Sequence, residues 1–257
     1  MQIDFFYFTG TGNTLLAVNK MREVFSRNGI QVTMNKIEKS DPGKINLKNT
    51  IGLAFPVAGF STYPFVWDFL KKLPDANGTH VFMVDTMGGT AGGIAGPLKK
   101  ILKRKGYNTI GAEQIQMPSN IFYVEPGDAI KQKVADGLNK AEVYANNIIS
   151  GKARWDRVPV LSDIVYYFSL FLLYLMKVRL HQKLFLFKAD PSKCSKCGTC
   201  ATICPVKNIE MKEFPVHGLK CQYCLRCVSF CPKKAIPCGF NYKKQTYTAP
   251  GITCKEL

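Results

Sequence analysis

The chain has 257 residues, 46% apolar and 21% charged, which excludes a disordered or fibrous protein and leaves room for one ordinary domain plus a small one. Its formal charge is +17, unevenly placed: residues 1–150 carry 17 Lys/Arg against 12 Asp/Glu, and residues 151–257 carry 18 against 6. A basic second half suits an acidic partner or anionic lipid, and the lack of a helix-turn-helix, zinc-finger or RNP-type motif argues against nucleic acid.

Gln2–Phe8 is an apolar, aromatic-rich run that reads as a buried strand. The opening Met1-Gln2-Ile3-Asp4 has no basic n-region, and Asp4 interrupts the apolar run, so a secretory signal is not expected and a cytoplasmic location is. Next come Thr9, Gly10, Thr11, Gly12, Asn13 and Thr14, then a helical pattern through Leu15, Leu16, Val18, Met21 and Phe25. Strand, Gly/Thr loop and helix together aim backbone N–H groups and a positive helix end at a phosphate. No Gly-Lys-Ser/Thr is present, which excludes a Walker loop. Leu15 stands where a dinucleotide fingerprint needs its third glycine, so Glu38 is a poor ribose-binding acid for NAD. A hydroxyl-rich loop without a basic residue suits a dianionic monophosphate, or else is a tight turn that binds nothing.

Strands are expected over Ile30–Ile37, Thr50–Phe55, Thr79–Asp85 and Ile110–Met117. Helices are expected over Tyr63–Leu73, with Pro64 in its first turn, over Pro97–Lys105, ended by Gly106, and over Asp128–Ile149. Alternating strands and helices imply an α/β fold with a five-stranded parallel, doubly wound sheet over residues 1–150. The Thr9–Thr14 loop resembles the phosphate loop of flavodoxins. That resemblance implies FMN at the carboxyl ends of the strands, against Pro56, Val57, Ala58, Gly59 and Phe60, against Thr86, Met87, Gly88 and Gly89, and against Ser119 and Asn120 in the Pro118–Ile121 loop. Ala58 and Met87 stand where the family often has aromatics. Phe60 or Tyr63 supplies an aromatic face instead, or one flavin face is left open, or both rings simply pack under the loop.

Residues 151–187 form a joining segment. Ile164–Met176 is an uncharged run of thirteen residues with Ser162 and Asp163 before it and Lys177, Arg179 and Lys183 after it. As a helix it spans roughly 20 Å, short of the roughly 30 Å hydrocarbon core of a bilayer. A helix buried between domains and a helix docked on a membrane surface or partner are the readings left open.

Residues 188–257 hold all ten cysteines, eight of them in a ladder: Cys194, Cys197, Cys200 and Cys204 before Pro205, then Cys221, Cys224, Cys227 and Cys231 before Pro232. Each cysteine of the second run lies 27 residues after its counterpart, an internal duplication. C-x2-C-x2-C-x3-C-P is a bacterial four-iron framework in which the fourth cysteine ligates the other cluster, and zinc sites use two C-x2-C hooks instead. Cluster one is therefore expected on Cys194, Cys197, Cys200 and Cys231, and cluster two on Cys221, Cys224, Cys227 and Cys204. Thiolate ligands in cluster spacing also require a reducing compartment. Ile209 and Ile236, at matching places after each run, are expected to pack on the clusters; Cys238 and Cys254 stand outside the ladder.

No Ser/His/Asp triad, paired-carboxylate site or metallohydrolase helix is present, so any chemistry is the cofactors' own. Taken whole, the chain resembles the EFR1-type family, a flavodoxin-like domain followed by a small α+β two-cluster ferredoxin domain. Thr9–Thr14, the run Met117-Pro118-Ser119-Asn120 and the two cysteine ladders carry the resemblance. It implies FMN, two [4Fe–4S] clusters and electron transfer in an anaerobic or strongly reducing cytoplasm, with a protein redox partner expected to be acidic. A flavin-dependent reductase of a small molecule such as a quinone, and a membrane-peripheral subunit docking through residues 164–176, are the alternatives.

Overall fold

The computed structural model describes residues 1–90, 93–121, 123–156, 168, 187–237 and 245–257. Apart from Phe168, the apolar run Ile164–Met176 lies outside the described residues, as does Cys238. Five parallel strands, β1 (Gln2–Tyr7), β2 (Gln31–Lys36), β3 (Thr50–Pro56), β4 (His80–Met87) and β5 (Asn108–Gln116), form one sheet in the order β2-β1-β3-β4-β5. Four helices return between or after them: α1 (Asn13–Arg27), α2 (Pro64–Lys71), α3 (Ala95–Arg104) and α4 (Gly127–Ile149). This 2-1-3-4-5 order is the flavodoxin-like doubly wound arrangement, whose switch point lies between β1 and β3.

Side-chain alternation along the strands explains the two covered faces. Phe6, Phe8, Leu53, Phe55 and Met83 enter one core with Val66, Trp67 and Leu70 of α2 and Leu98 and Leu102 of α3. Phe5, Tyr7, Ala54, Phe82 and Val84 enter the other with Val18, Met21 and Phe25 of α1 and Ala141 and Tyr144 of α4. Phe5 meets Phe82 edge-to-face at 5.3 Å between centroids, and only a glycine fits between them, since a Cβ on Gly52 would lie 2.8 Å from Phe82. At the end of α1, Gly29 turns left-handed while Ile30 N–H donates to Phe25 O, which stops the helix and drops Ile30 into the core ahead of β2. The segment after α4 closes the far edge: Ala112 N–H donates to Arg154 O, and the buried Trp155 donates through Nε1 to Ala95 O.

Asp85 on β4 is wholly buried; its Oδ2 takes a long 3.4 Å bond from Gln114 Nε2, and Oδ1 has no partner among the described residues. Burial pushes its carboxyl up to about 8, against a weaker downward pull from Gln114. Between an unfolded value near 4 and that folded value, the native chain holds a proton that the unfolded chain has released. Its contribution to stability is therefore full at low pH and lost as pH rises through about 8, with a slope of up to about 1.4 kcal/mol per pH unit. Asp85→Asn is expected to remove that slope: the stability gained over the unaltered chain should grow from pH 5.5 to pH 7.5 in urea titrations. Parallel curves for the two proteins would show that Asp85 does not titrate there.

In the cysteine-rich part, α5 (Thr199–Thr202), β6 (Ile209–Met211), β7 (Pro215–His217) and α6 (Arg226–Ser229) follow in order, with β6 and β7 paired antiparallel. The duplication is visible in the backbone. Left-handed residues recur at the 27-residue offset, Lys196 with Tyr223, Gly198 with Leu225 and Lys207 with Lys234, and α5 superimposes on α6 by the same shift. A small apolar core of Phe187, Ile209, Leu225, Val228 and Ile236 surrounds Cys200 and Cys227. No helix among the described residues is long and apolar enough to cross a membrane.

Candidate functional site: a phosphate loop against a paired cysteine site

All six residues Thr9–Thr14 are buried at the carboxyl end of β1, with Gly12 left-handed at φ 106 as the cap of α1. The carbonyls of this loop are turned outward. Thr9 O accepts from Arg226 Nε at 3.1 Å and Nη2 at 2.7 Å, and Thr11 O accepts from Ala249 N–H at 2.8 Å. Across a trans peptide the following N–H points the opposite way, so the Gly10 N–H is turned away from Arg226, and the Gly12 N–H donates to Thr9 Oγ1 at 3.1 Å. The first intrahelical bond of α1 is Leu16 N–H to Gly12 O, and helix geometry gives the N–H groups of Asn13, Thr14 and Leu15 no acceptor of their own. The first turn carries no acidic residue to compete for them.

The hydroxyls are oriented to match. Thr9 Oγ1 accepts from Gly12, and Thr11 Oγ1 accepts from Asn120 Nδ2 at 2.9 Å, which leaves each hydroxyl proton free to donate. Thr14 Oγ1 shares a 2.8 Å bond with Thr86 Oγ1. Asn13 is structural at its side chain, donating to Pro118 O and accepting from Tyr247 Oη. Convergent N–H and O–H donors around a dehydrated loop at a helix N-terminus fit a dianionic monophosphate.

The other sequence-predicted loops gather at the same end of the sheet. Val57 N–H donates to Thr86 O and Met117 N–H to Met87 O, tying the 56–60, 86–89 and 118–121 loops together; Ser119 packs beside Gly88. Ala58 and Ser61 exchange two backbone bonds around Gly59 and Phe60, both left-handed, a two-residue turn of the I′ type. Phe60 is thereby held 47% exposed on the loop in a conformation costly for a side-chain-bearing residue. Tyr63 is not available to a ligand, because it is buried against Phe8 and Phe65.

The eight ladder cysteines divide four and four. Cys194, Cys197, Cys200 and Cys231 line one hollow, together with Met211 and Ile236. Cys204, Cys221, Cys224 and Cys227 line a second, with Phe187, Ile209, His217 and Arg226. No group of three or more His, Cys, Asp or Glu side chains among the described residues is placed to hold a lone metal ion. Backbone N–H groups point at sulfur at equivalent places, Asn208 to Cys204 at 3.2 Å and Ala235 to Cys231 at 3.3 Å. Burial pushes the Cys224 thiol up to about 12 and the Cys227 thiol well above its usual value, so thiolates there need a cationic ligand in the hollow. This donor set fits [4Fe–4S] clusters. Cys254 packs instead with Ile203, Phe230 and Leu257.

Two features escape the sequence. Arg226, between Cys224 and Cys227, is buried and pairs with Glu38 at 2.7 Å, its guanidinium 4.7 Å from the Phe8 ring centre. Glu38 thus serves this pair and is not free to hold a ribose. Residues 245–253 form a strap over the phosphate loop, where Ala249 and Ile252 pack on Gly12. On the same side the Cys224 carbonyl seats on Gly10, where a Cβ would come to 2.5 Å from the oxygen. Gly10→Ala is expected to force loop and cysteine turn apart, costing about 1–3 kcal/mol as an overpacked contact. Thermal unfolding checks it; an unchanged midpoint would mean that the two backbones separate freely.

Residues 186–232 match the family described as a 4Fe-4S dicluster domain. No curated protein matches the chain. Among solved structures, a short-chain flavodoxin associated with a non-canonical PDU bacterial microcompartment aligns over 60% of this chain and 99% of its own at 14% identity, TM-score 0.45. Two-electron reduced Megasphaera elsdenii flavodoxin aligns over 56% and 98% at 22% identity, TM-score 0.41. Rubredoxin:oxygen oxidoreductase from Desulfovibrio gigas aligns over 60% and 37% at 14% identity, TM-score 0.40. The flavodoxin-like assignment rests on strand order and connections.

Proposed function

We propose that this chain is an electron-transfer iron–sulfur flavoprotein of the EFR1 type, joining one FMN site to two [4Fe–4S] sites. The observation that carries the reading is the four-and-four division of the cysteines around two hollows, one of which abuts the loop whose donors converge as for a phosphate. When bound, FMN supplies a centre that exchanges two electrons and each cluster a centre that exchanges one, so a single flavin balances two clusters.

The chain's own residues do the rest. The N–H groups at Gly10 and in the first turn of α1, with the Thr9 and Thr11 hydroxyls, hold the phosphate. Phe60, exposed on its turn, would cover a face of a bound isoalloxazine ring, and Ser119 and Asn120 would lie toward its edge. Cys194, Cys197, Cys200 and Cys231 hold one cluster; Cys221, Cys224, Cys227 and Cys204 hold the other, and the Asn208 and Ala235 N–H groups temper the charge on sulfur. The basic C-terminal half favours an acidic protein as redox partner. A reductase acting on a small molecule is the second reading, favoured by the exposure of Phe60 on the loop it shares with Ala58.

Anaerobic reconstitution tests the first reading: about eight iron atoms and one FMN per chain are expected. Iron uptake with no flavin binding would refute it, and turnover of a quinone without any protein acceptor would favour the second reading.

A further inference from the structure

The two cysteine sites are copies in backbone but not in surroundings. Arg226 of the second half corresponds to Thr199 of the first, and they behave differently. Thr199 makes only a local contact, 3.3 Å from Cys197 Sγ. Arg226 reaches out of its own half to Thr9 O and Glu38, and also donates to Ile203 O at 3.1 Å, the residue before Cys204. One buried side chain, itself next to Cys227 in the chain, therefore touches both the residue before Cys204 and the start of the Thr9–Thr14 loop. Cys224 of that hollow packs against the sheet's core, with its carbonyl on Gly10. Among the described residues the first hollow has no side chain hydrogen-bonded to the Thr9–Thr14 loop. Its Cys197 is exposed, and Lys193 and Lys196 beside it have side chains 62% and 50% exposed.

Resting on the proposed function, we infer that the site of Cys204, Cys221, Cys224 and Cys227 is the flavin-side centre, and that the site of Cys194, Cys197, Cys200 and Cys231 is the outer port, where a one-electron protein carrier with an acidic face docks. Single electrons pass in either direction along this order with no bond made or broken, two passages matching one two-electron change at the flavin. A phosphate dianion on the loop that Cys224 abuts disfavours adding negative charge at the inner site more than at the outer one, whose lining among the described residues includes no residue of that loop.

The test marks the outer site. Cys197→Ser keeps an oxygen ligand at an exposed corner and alters that cluster's EPR signal. Midpoint potentials of both clusters are then followed by EPR with FMN loaded and with FMN removed. Loading is expected to lower the midpoint of the unmarked cluster and leave the marked one in place. A shift of the marked cluster, or equal shifts of both, overturns the order while leaving the proposed function standing; no flavin binding at all overturns both. The unaltered chain gives a second reading if the variant fails to fold. A soluble dysprosium chelate should speed relaxation of one cluster, and that cluster should be the one FMN leaves unmoved. One cluster answering to both the chelate and FMN would refute the assignment.

Discussion

Replacing Arg226 by methionine is expected to cost about 3–5 kcal/mol, and replacing Glu38 by leucine in the same chain to return most of it. The pair is not a surface ion pair of the kind worth under about 1 kcal/mol, because its side chains are only 4% and 5% exposed. Removing the arginine leaves a carboxylate in a dry site, one of whose oxygens, Oε2, already lacks a partner among the described residues. It also strips Thr9 O and Ile203 O of their donor. Arg226→Lys should not rescue, since a single ammonium cannot serve three acceptors lying in the plane of a fork. Urea unfolding of the two single variants and the double variant forms the cycle. A cost below about 1 kcal/mol for Arg226→Met would mean that the pair is solvated in solution.

Cys204→Ala is expected to halve the iron, from about eight atoms per chain to about four, and to take it from the site of Cys221, Cys224 and Cys227. Neighbourhood in sequence suggests the opposite, because Cys204 lies four residues after Cys200 and 17 before Cys221. The fold decides otherwise. The turn after α5 carries Cys204 across to the second hollow, just as the turn after α6 carries Cys231 back to the first. Cys231→Ala should therefore produce the complementary loss. Iron analysis with Mössbauer or EPR spectra of both variants checks the pair; loss of the cluster on Cys194, Cys197 and Cys200 from the Cys204 variant would reverse the ligand sets.

Most of this architecture is legible because it is periodic or repeated. The five strands and four helices of the sheet domain fall within a few residues of their expected bounds, since each buried strand is a short apolar run cut off by turn residues. The phosphate loop is legible because hydroxyls, glycines and a following helix come in one contiguous stretch. What was hidden is what joins the parts. Arg226 and Glu38 are 188 positions apart, and an arginine between two cysteines reads as an ordinary surface charge until a second domain closes over it. The strap at 245–253 has no period, so nothing in its sequence shows that Ala249 will donate to Thr11. Tyr63 and Phe60 are alike as residue types; only the left-handed turn at Gly59 and Phe60 separates the buried ring from the presented one.

The strap also sets an order of assembly. Tyr247 grips Asn13 across 234 positions of chain, so the nucleotide pocket is completed by residues that emerge from the ribosome long after the sheet that carries it. Between the two in sequence lie all eight ladder cysteines, whose folding is coupled to metal. The sheet can condense early from its local crossovers, but contacts of such long range form late. On the proposed function, flavin uptake is therefore expected to follow iron delivery to the other end of the molecule.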